Sequence, residues 1–232
     1  MYGDRGNIIC LKKRCEWRGI SLRIEEIKNP DDASKSGCDL FMIGGGSDRE
    51  QSIATERLTP LVKEIKAWVE DGVSALTICG GYQFLGDYYE MKNGEKLIGM
   101  GILPFYTKAG DDRLMTNLLV ESEQFGNVVG FENHGGKTYH NFSTIGKVIN
   151  GYGNNGDSGE EGLHYNNLIG TYLHGPILPK NPRIADYLIE KACERKTGRK
   201  LDPLEDAMEI EANQAVWERF RHSKRTKYKN EA

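Results

Sequence analysis

The segment Leu76-Thr77-Ile78-Cys79-Gly80-Gly81-Tyr82-Gln83-Phe84-Leu85-Gly86 constrains this chain more than any other. An apolar run of strand character enters a cysteine, two glycines follow, and apolar residues then resume at helical spacing. A strand that delivers a nucleophilic side chain straight into a helix is a nucleophile elbow, here with Cys79 at its apex. The tight turn lifts the sulfur above the sheet and requires small neighbours. The helix N-terminus behind it favours thiolate over thiol and offers backbone N–H groups to a developing oxyanion.

The rest of the first half repeats strand, turn and helix. Ile8 to Arg18 reads as an amphipathic helix closed by Gly19, and Ser21 to Ile27 alternates Leu22 and Ile24 against charges. Cys38 to Ile43 is a buried strand ending in Gly44-Gly45-Gly46. Ser47 to Glu70 is helical with a break at Pro60, and Asp71-Gly72 stops it before the strand Val73 to Ile78. This alternation predicts an α/β fold: a mostly parallel central sheet flanked by helices, with its site at the carboxyl ends of the strands. Tyr88 to Asn150 differs: the short alternating runs Leu97 to Tyr106, Leu114 to Glu121 and Val128 to Asn133, punctuated by expected turns at Asn-Gly, Ala109 to Asp112 and Gly135-Gly136, read as strands and hairpins. A polar loop from Gly151 to Gly162 leads to the strand Leu168 to Leu173, and two helices, Pro182 to Lys196 and Asp206 to Arg221, close the chain. At 232 residues, one domain spanning 1–232 is expected.

Charge and cysteine content remove several functions. With 31 basic and 34 acidic residues the net charge is −3, so no basic excess draws in nucleic acid or an anionic membrane. No apolar run is long enough to span a bilayer and no secretory leader opens the chain, so a cytoplasmic protein is expected. The five cysteines show neither a CxxC pair nor zinc-site spacing, so no metal is expected. Gly44-Gly45-Gly46-Ser47-Asp48 lacks the Gly-Lys-Ser/Thr of a nucleotide loop and is better suited to donating N–H groups to an oxyanion. A thiolate needs a base. His174, at the end of Ile169 to Leu173, is the best placed of the five histidines, with His134 in Glu132-Asn133-His134-Gly135-Gly136 the runner-up. Arg113 in Gly110-Asp111-Asp112-Arg113, and the terminal cluster Arg219, Arg221, Lys224, Arg225, Lys227 and Lys229, read from sequence alone as solvated surface.

The Cys79-Gly80-Gly81-Tyr82-Gln83 elbow, the Gly44 to Asp48 turn, the Asn133-His134-Gly135-Gly136 loop and Tyr172-Leu173-His174-Gly175-Pro176 together resemble class I glutamine amidotransferases of the cobyric acid synthase-like group, a flavodoxin-like architecture. Within that group the match is closest to the glutaminase subunits of lipid II isoglutaminyl synthases. The resemblance runs over essentially the whole chain. It implies Cys79 as nucleophile and His174 as its base, with Gly45, Gly46 and Gly80 contributing to the oxyanion hole. Gln83, Asn133 and Gly135 would hold L-glutamine, and Arg113 falls where this subfamily carries a substrate-binding arginine. The implied partner is a MurT-like Mur ligase subunit that supplies ATP and Mg and amidates the D-glutamate of the lipid II stem peptide, so no cofactor is expected in this chain.

Two departures from the group's pattern stand out. Many class I amidotransferases place a glutamate two residues after the histidine, where this chain has Pro176. Another group must then orient His174: Asp4, Asp186 or a carboxylate of the partner are the candidates, and the third member of such a set need not be a carboxylate. Relatives usually carry a strand before the segment Tyr2 to Asn7, inside which this chain begins, so an exposed sheet edge is expected there.

Overall fold

The computed structural model describes residues 4–35, 37–45 and 58–223. The helix expected from Ile8 is α1, Asp4–Trp17, and the chain leaves it through Gly19 at φ 66°, a left-handed position that glycine adopts without strain. Ser21 to Ile27 has no regular structure, and Leu22 and Ile24 stay exposed, so the alternation there marks no buried strand. After α2 (Pro30–Lys35), β1 covers Leu40–Ile43. Gly46, Ser47, Asp48 and the first part of the helix expected from Ser47 lie outside the described residues. The remainder is a single 3-10 turn at Thr59–Leu61, where Pro60 breaks the pattern, followed by α3, Val62–Glu70. Then come β2 (Ser74–Ile78) and α4 (Gly80–Phe84), with Cys79 between them.

β1, β2 and β10 (Leu168–Thr171) form the expected parallel sheet, and β9 (Leu163–Tyr165) pairs antiparallel with β10 at its edge. All five residues of β2 are buried, as a central parallel strand covered on both faces must be. α5 (Pro182–Thr197) packs on β1 and β2 through Ile184, Ala185, Leu188 and Ile189. That i, i+1, i+4, i+5 stripe stabilises by about 1.5–3 kcal/mol per large side chain.

The middle of the chain forms a second, mostly antiparallel sheet: β3 (Tyr88–Glu90), β4 (Lys96–Ile98), β5 (Tyr106–Ser122), β6 (Gly126–Tyr139), β7 (Gly146–Asn150) and β8 (Glu160–Glu161). Its spine is one long hairpin. The turns expected at Ala109 to Asp112 and at Gly135-Gly136 are absent, because β5 and β6 run through both places. The extra residues 110–113 are absorbed in a bulge, across which the register shifts between Ala109 and Leu114. α6 (Ala207–Phe220) covers the hairpin through Trp217, which packs on Leu119 and Val129. The larger core is shared by both sheets, with Leu76, Ile78, Tyr82, Leu118, Val128 and Leu173 in one continuous buried cluster. No described helix is long and apolar enough to cross a membrane.

One polar tie sits at the outer side of α5. Arg14, only 2 % exposed, lies between two carboxylates, giving Nε and Nη2 to Asp186 at 2.6 and 2.7 Å and Nη1 and Nη2 to Asp206 at 2.8 Å each. Burial pulls the guanidinium down, but Asp186 and Asp206 outweigh it and leave it raised above its ordinary value. Arg18 adds a 2.8 Å bond to Asp186, so α1, α5 and the start of α6 meet at one ionic node.

Candidate active site

β2 ends at Ile78, and the chain turns sharply at Cys79, whose φ of 51° and ψ of −108° no β-strand or helix shares. A non-glycine residue at such a backbone conformation stores about 1–3 kcal/mol of strain and is held there by its surroundings. The Cys79 N–H donates to the Thr171 carbonyl at 2.8 Å, and its own carbonyl accepts the Gln83 N–H at 2.9 Å as α4 begins. Gly81 shows why the turn needs glycine: a β-carbon there would sit 2.5 Å from the Ile43 carbonyl oxygen and 2.9 Å from that of Gly44. The elbow read in the sequence is therefore present, with the end of β1 pressed against it.

His174 reaches the same place from β10. Beyond Thr171 the chain leaves the parallel sheet and crosses to β6, where His174 and Phe131 form a two-way bridge, His174 N–H to Phe131 O at 2.6 Å and the return bond at 3.4 Å. A β-carbon on Gly45 would lie 3.2 Å from Cys79 Cβ and 3.3 Å from His174 Cε1, so the two side chains flank one glycine. Gly45 thus stands beside the sulfur's attachment point, as an oxyanion-hole residue must, and Gly80 opens α4 immediately after it. Gly46 lies outside the described residues.

Burial pushes the His174 imidazole down to about 4, helped by His134 and Arg113 nearby, so the ring is neutral at physiological pH and able to accept the thiol proton. The same shift sets a stability window. A folded value near 4 below an unfolded 6.5 means that the unfolded chain binds the extra proton between those pH values. The stability due to this group is complete above pH 6.5 and is lost as pH falls towards 4, by about 3 kcal/mol at most. Urea unfolding of His174→Asn at pH 7 and pH 4.5 is expected to show a smaller loss on acidification than the unaltered chain, and equal losses would refute the assignment.

His134, the runner-up base, is buried on β6. Its Nδ1 is 2.6 Å from the Gly136 carbonyl and its Nε2 3.5 Å from Glu132, and its ring stacks on Tyr172 with centroids 3.6 Å apart. Both ring nitrogens thus face partners within β6, and the buried ring lies flat against Tyr172. Tyr172 in turn accepts from Gln83 Nε2 at 2.9 Å and bonds Thr138 Oγ1 at 2.7 Å, so Gln83 is anchored to the strand that carries His174. Asn133, on the opposite face of β6, accepts from Arg113 Nε at 2.5 Å across the bulge. That bond aims the guanidinium fork, and Arg113 acts electrostatically on His174. Gly135 borders open space, with nothing within 4 Å of a β-carbon placed there.

Of the carboxylates considered for orienting His174, Asp186 is bound to Arg14 and Arg18 instead, because α5 turns it towards α1. The side chain of Asp4 lies outside the described residues. The sequence reading missed Glu132 and Glu161, two fully buried carboxylates that brace the site from below. Glu132 Oε1 and Oε2 accept the N–H groups of Tyr152 and Gly153 at 2.7 and 3.0 Å, tying the glycine-rich loop to β6. Only the buried alternation along β6 pointed to Glu132, and nothing local pointed to Glu161.

Comparison with known proteins agrees with this geometry. The CobB/CobQ-like glutamine amidotransferase domain matches residues 1–182. The chain is 50% identical over 229 residues, 98% of its length and 94% of the relative's, to the lipid II isoglutaminyl synthase (glutamine-hydrolyzing) subunit GatD of Staphylococcus aureus (strain N315). It is 36% identical over 202 residues, 85% of its length and 78% of the relative's, to the protein of that name from Streptococcus pneumoniae (strain ATCC BAA-255 / R6). A crystal structure of a glutamine amidotransferase superposes with a TM-score of 0.57 at 16% identity, covering 82% of this chain and 95% of the other, which speaks for the fold alone. An elbow cysteine, a strand-end histidine and glycine turns facing them thus stand on a fold and in a sequence of one lineage, and the chain belongs to the CobB/CobQ-like glutamine amidotransferase family.

Proposed function

We propose that this chain hydrolyses L-glutamine as the glutaminase subunit of a lipid II isoglutaminyl synthase, with Cys79 as nucleophile and His174 as base. The observation that carries the chemistry is the convergence of Cys79 and His174 on Gly45, with a neutral imidazole opposite the thiol. His174 takes the Cys79 proton, and the sulfur attacks the carboxamide carbon. The C–S bond forms while the carbonyl oxygen takes negative charge opposite the Gly45 and Gly80 N–H groups. Collapse breaks the C–N bond, His174 returns the proton to the departing ammonia, and a glutamyl thioester remains. Water deprotonated by His174 then cleaves the C–S bond and releases glutamate.

The long, near-complete match to subunits named for lipid II supports the acceptor. In this reading a MurT-like ligase binds ATP and Mg and activates the D-glutamate of the stem peptide, and ammonia passes to it through a sealed route. Arg113 clamps the α-carboxylate of glutamine, with Asn133 fixing its Nε and Gly135 on the same face of β6, while Gln83 bounds the site from the face of Gly136. Arg113→Lys keeps the charge but loses the fork, so KM for glutamine is expected to rise about tenfold with kcat changed less. An unchanged KM would remove Arg113 from the site. The function as a whole is tested by co-expressing the chain with a MurT-like ligase and following glutamate release together with amidation of lipid II. Glutamate release without amidation would keep the glutaminase and overturn the acceptor.

A further inference from the structure

β10 ends its pairing at Thr171, opposite Ile78, and the next backbone donors leave the sheet with no ladder to receive them. Glu161 supplies the missing acceptor. Its Oε1 accepts the Thr171 hydroxyl and the Tyr172 N–H, both at 2.7 Å, and the Thr171 hydroxyl oxygen accepts the Leu173 N–H at 3.0 Å. Thr171 is also the residue whose carbonyl receives the Cys79 N–H at 2.8 Å. One carboxyl therefore grips the residue that is bonded to Cys79 on one side and leads within three positions to His174 on the other. Gly162 makes this possible: a β-carbon there would fall 2.4 Å from Ile145 Cδ1 and 2.8 Å from the Gly170 carbonyl, so only glycine lets β8 turn beneath β10.

We propose that Glu161 is a positioning residue for glutamine hydrolysis, setting the Cys79–His174 geometry by holding Thr171 and Tyr172 where β10 leaves the sheet. The inference rests on Cys79 and His174 being the reacting pair. Glu161 is fully buried, its Oε2 has no hydrogen-bond partner among the described residues, and its Oε1 takes both bonds from this one strand end. Burial pushes its carboxyl up to about 7, opposed by the bonds from Thr171 and Tyr172 and by the Gly162 N–H and reinforced by Glu132 from β6, while Tyr82 of α4 also faces it. A neutral acceptor suffices for the two bonds, which makes Gln a faithful replacement for Glu here.

The test reads Cys79 directly. The full chain, as Glu161→Ala, Glu161→Gln and Thr171→Val, is treated with iodoacetamide across pH, and each cysteine is quantified by peptide mass spectrometry. Cys10, Cys15, Cys38 and Cys193 report any general loosening. Glu161→Ala is expected to slow Cys79 labelling about tenfold and to move its midpoint up in pH, a displacement of about 1 Å sufficing for losses of this order. The other four thiols should be unaffected, and Glu161→Gln should stay within about twofold of the unaltered chain, since it keeps the acceptor. Should Glu161→Ala not fold, Thr171→Val removes the hydroxyl link alone and is expected to slow labelling about threefold. Unchanged Cys79 labelling, an equal defect in Glu161→Gln, or acceleration of all five thiols together would each overturn the proposal. Labelling needs no glutamine, so loss of the glutaminase reading would show separately, as absent glutamate release by the unaltered chain with its ligase.

Discussion

Replacing Cys79 by alanine is expected to lower glutamate release by about 10⁴-fold or more, the scale seen when the nucleophile of a covalent mechanism is removed. The fold should survive, because the change deletes one sulfur from a side chain that is 6 % exposed and leaves the β-carbon that fits beside Gly45. Glutamate release and thermal unfolding measured on the same preparation separate the two effects. Activity within tenfold of the unaltered chain would remove Cys79 from the chemistry. The other four cysteines supply the contrast. Burial pushes the thiols of Cys10, Cys15 and Cys38 up to about 11, out of the range of a reactive thiolate, and Cys193 is raised by the same cause. Their replacement by alanine should leave turnover intact.

The largest expected loss of stability comes from Arg14→Ala. Removing the guanidinium leaves Asp206, 17% exposed, without its Arg14 cation, and Asp186, 27% exposed, with Arg18 alone. Breaking one side of a buried ion pair costs about 3–5 kcal/mol, and the partial access of water to both carboxylates places this case at about 3 kcal/mol. Chemical denaturation at pH 7 checks it. Because the penalty comes chiefly from the ionised carboxylate of Asp206, Asp186 keeping Arg18, it should shrink when Asp206→Asn is added to Arg14→Ala. A double variant as unstable as the single one would place the cost in lost packing instead.

The elbow was legible because its sequence is locally consistent: an apolar strand, glycines at the turn and a helical restart all point to one conformation, and the structure contains it. His174 was legible for the same reason, as a polar residue ending a buried strand. Strands and hairpins were legible in Tyr88 to Asn150, but the unbroken length of the β5–β6 hairpin was not, since local turn chemistry at Ala109 to Asp112 and at Gly135-Gly136 was overridden by pairing on both sides of each segment. Gly136 is there for closeness and not for turning: a β-carbon on it would fall 2.4 Å from Gln83 Nε2. Arg14 was illegible for a different reason. It sits in Lys12-Lys13-Arg14, which reads as a solvated run, and only the distant Asp186 and Asp206 make it a buried residue. Glu161 depends likewise on a strand end that no local pattern reveals.

The bulge at residues 110–113 separates two functions that the hairpin would otherwise force to change together. On one side of it, Phe131 and Glu132 hold their partners Asn117 and Thr116, and with them the bridge to His174. On the other side, Gly136 to Tyr139 keep their pairing with Tyr106 to Ala109. Residues inserted or exchanged within the bulge lengthen a blister and leave the register on either flank as it was. The scaffold can therefore re-aim Arg113, the arginine proposed to clamp the substrate, without moving the histidine by a single pair. On the proposed roles, the residue that sets specificity and the anchor of the residue that sets rate occupy separate stretches of one hairpin.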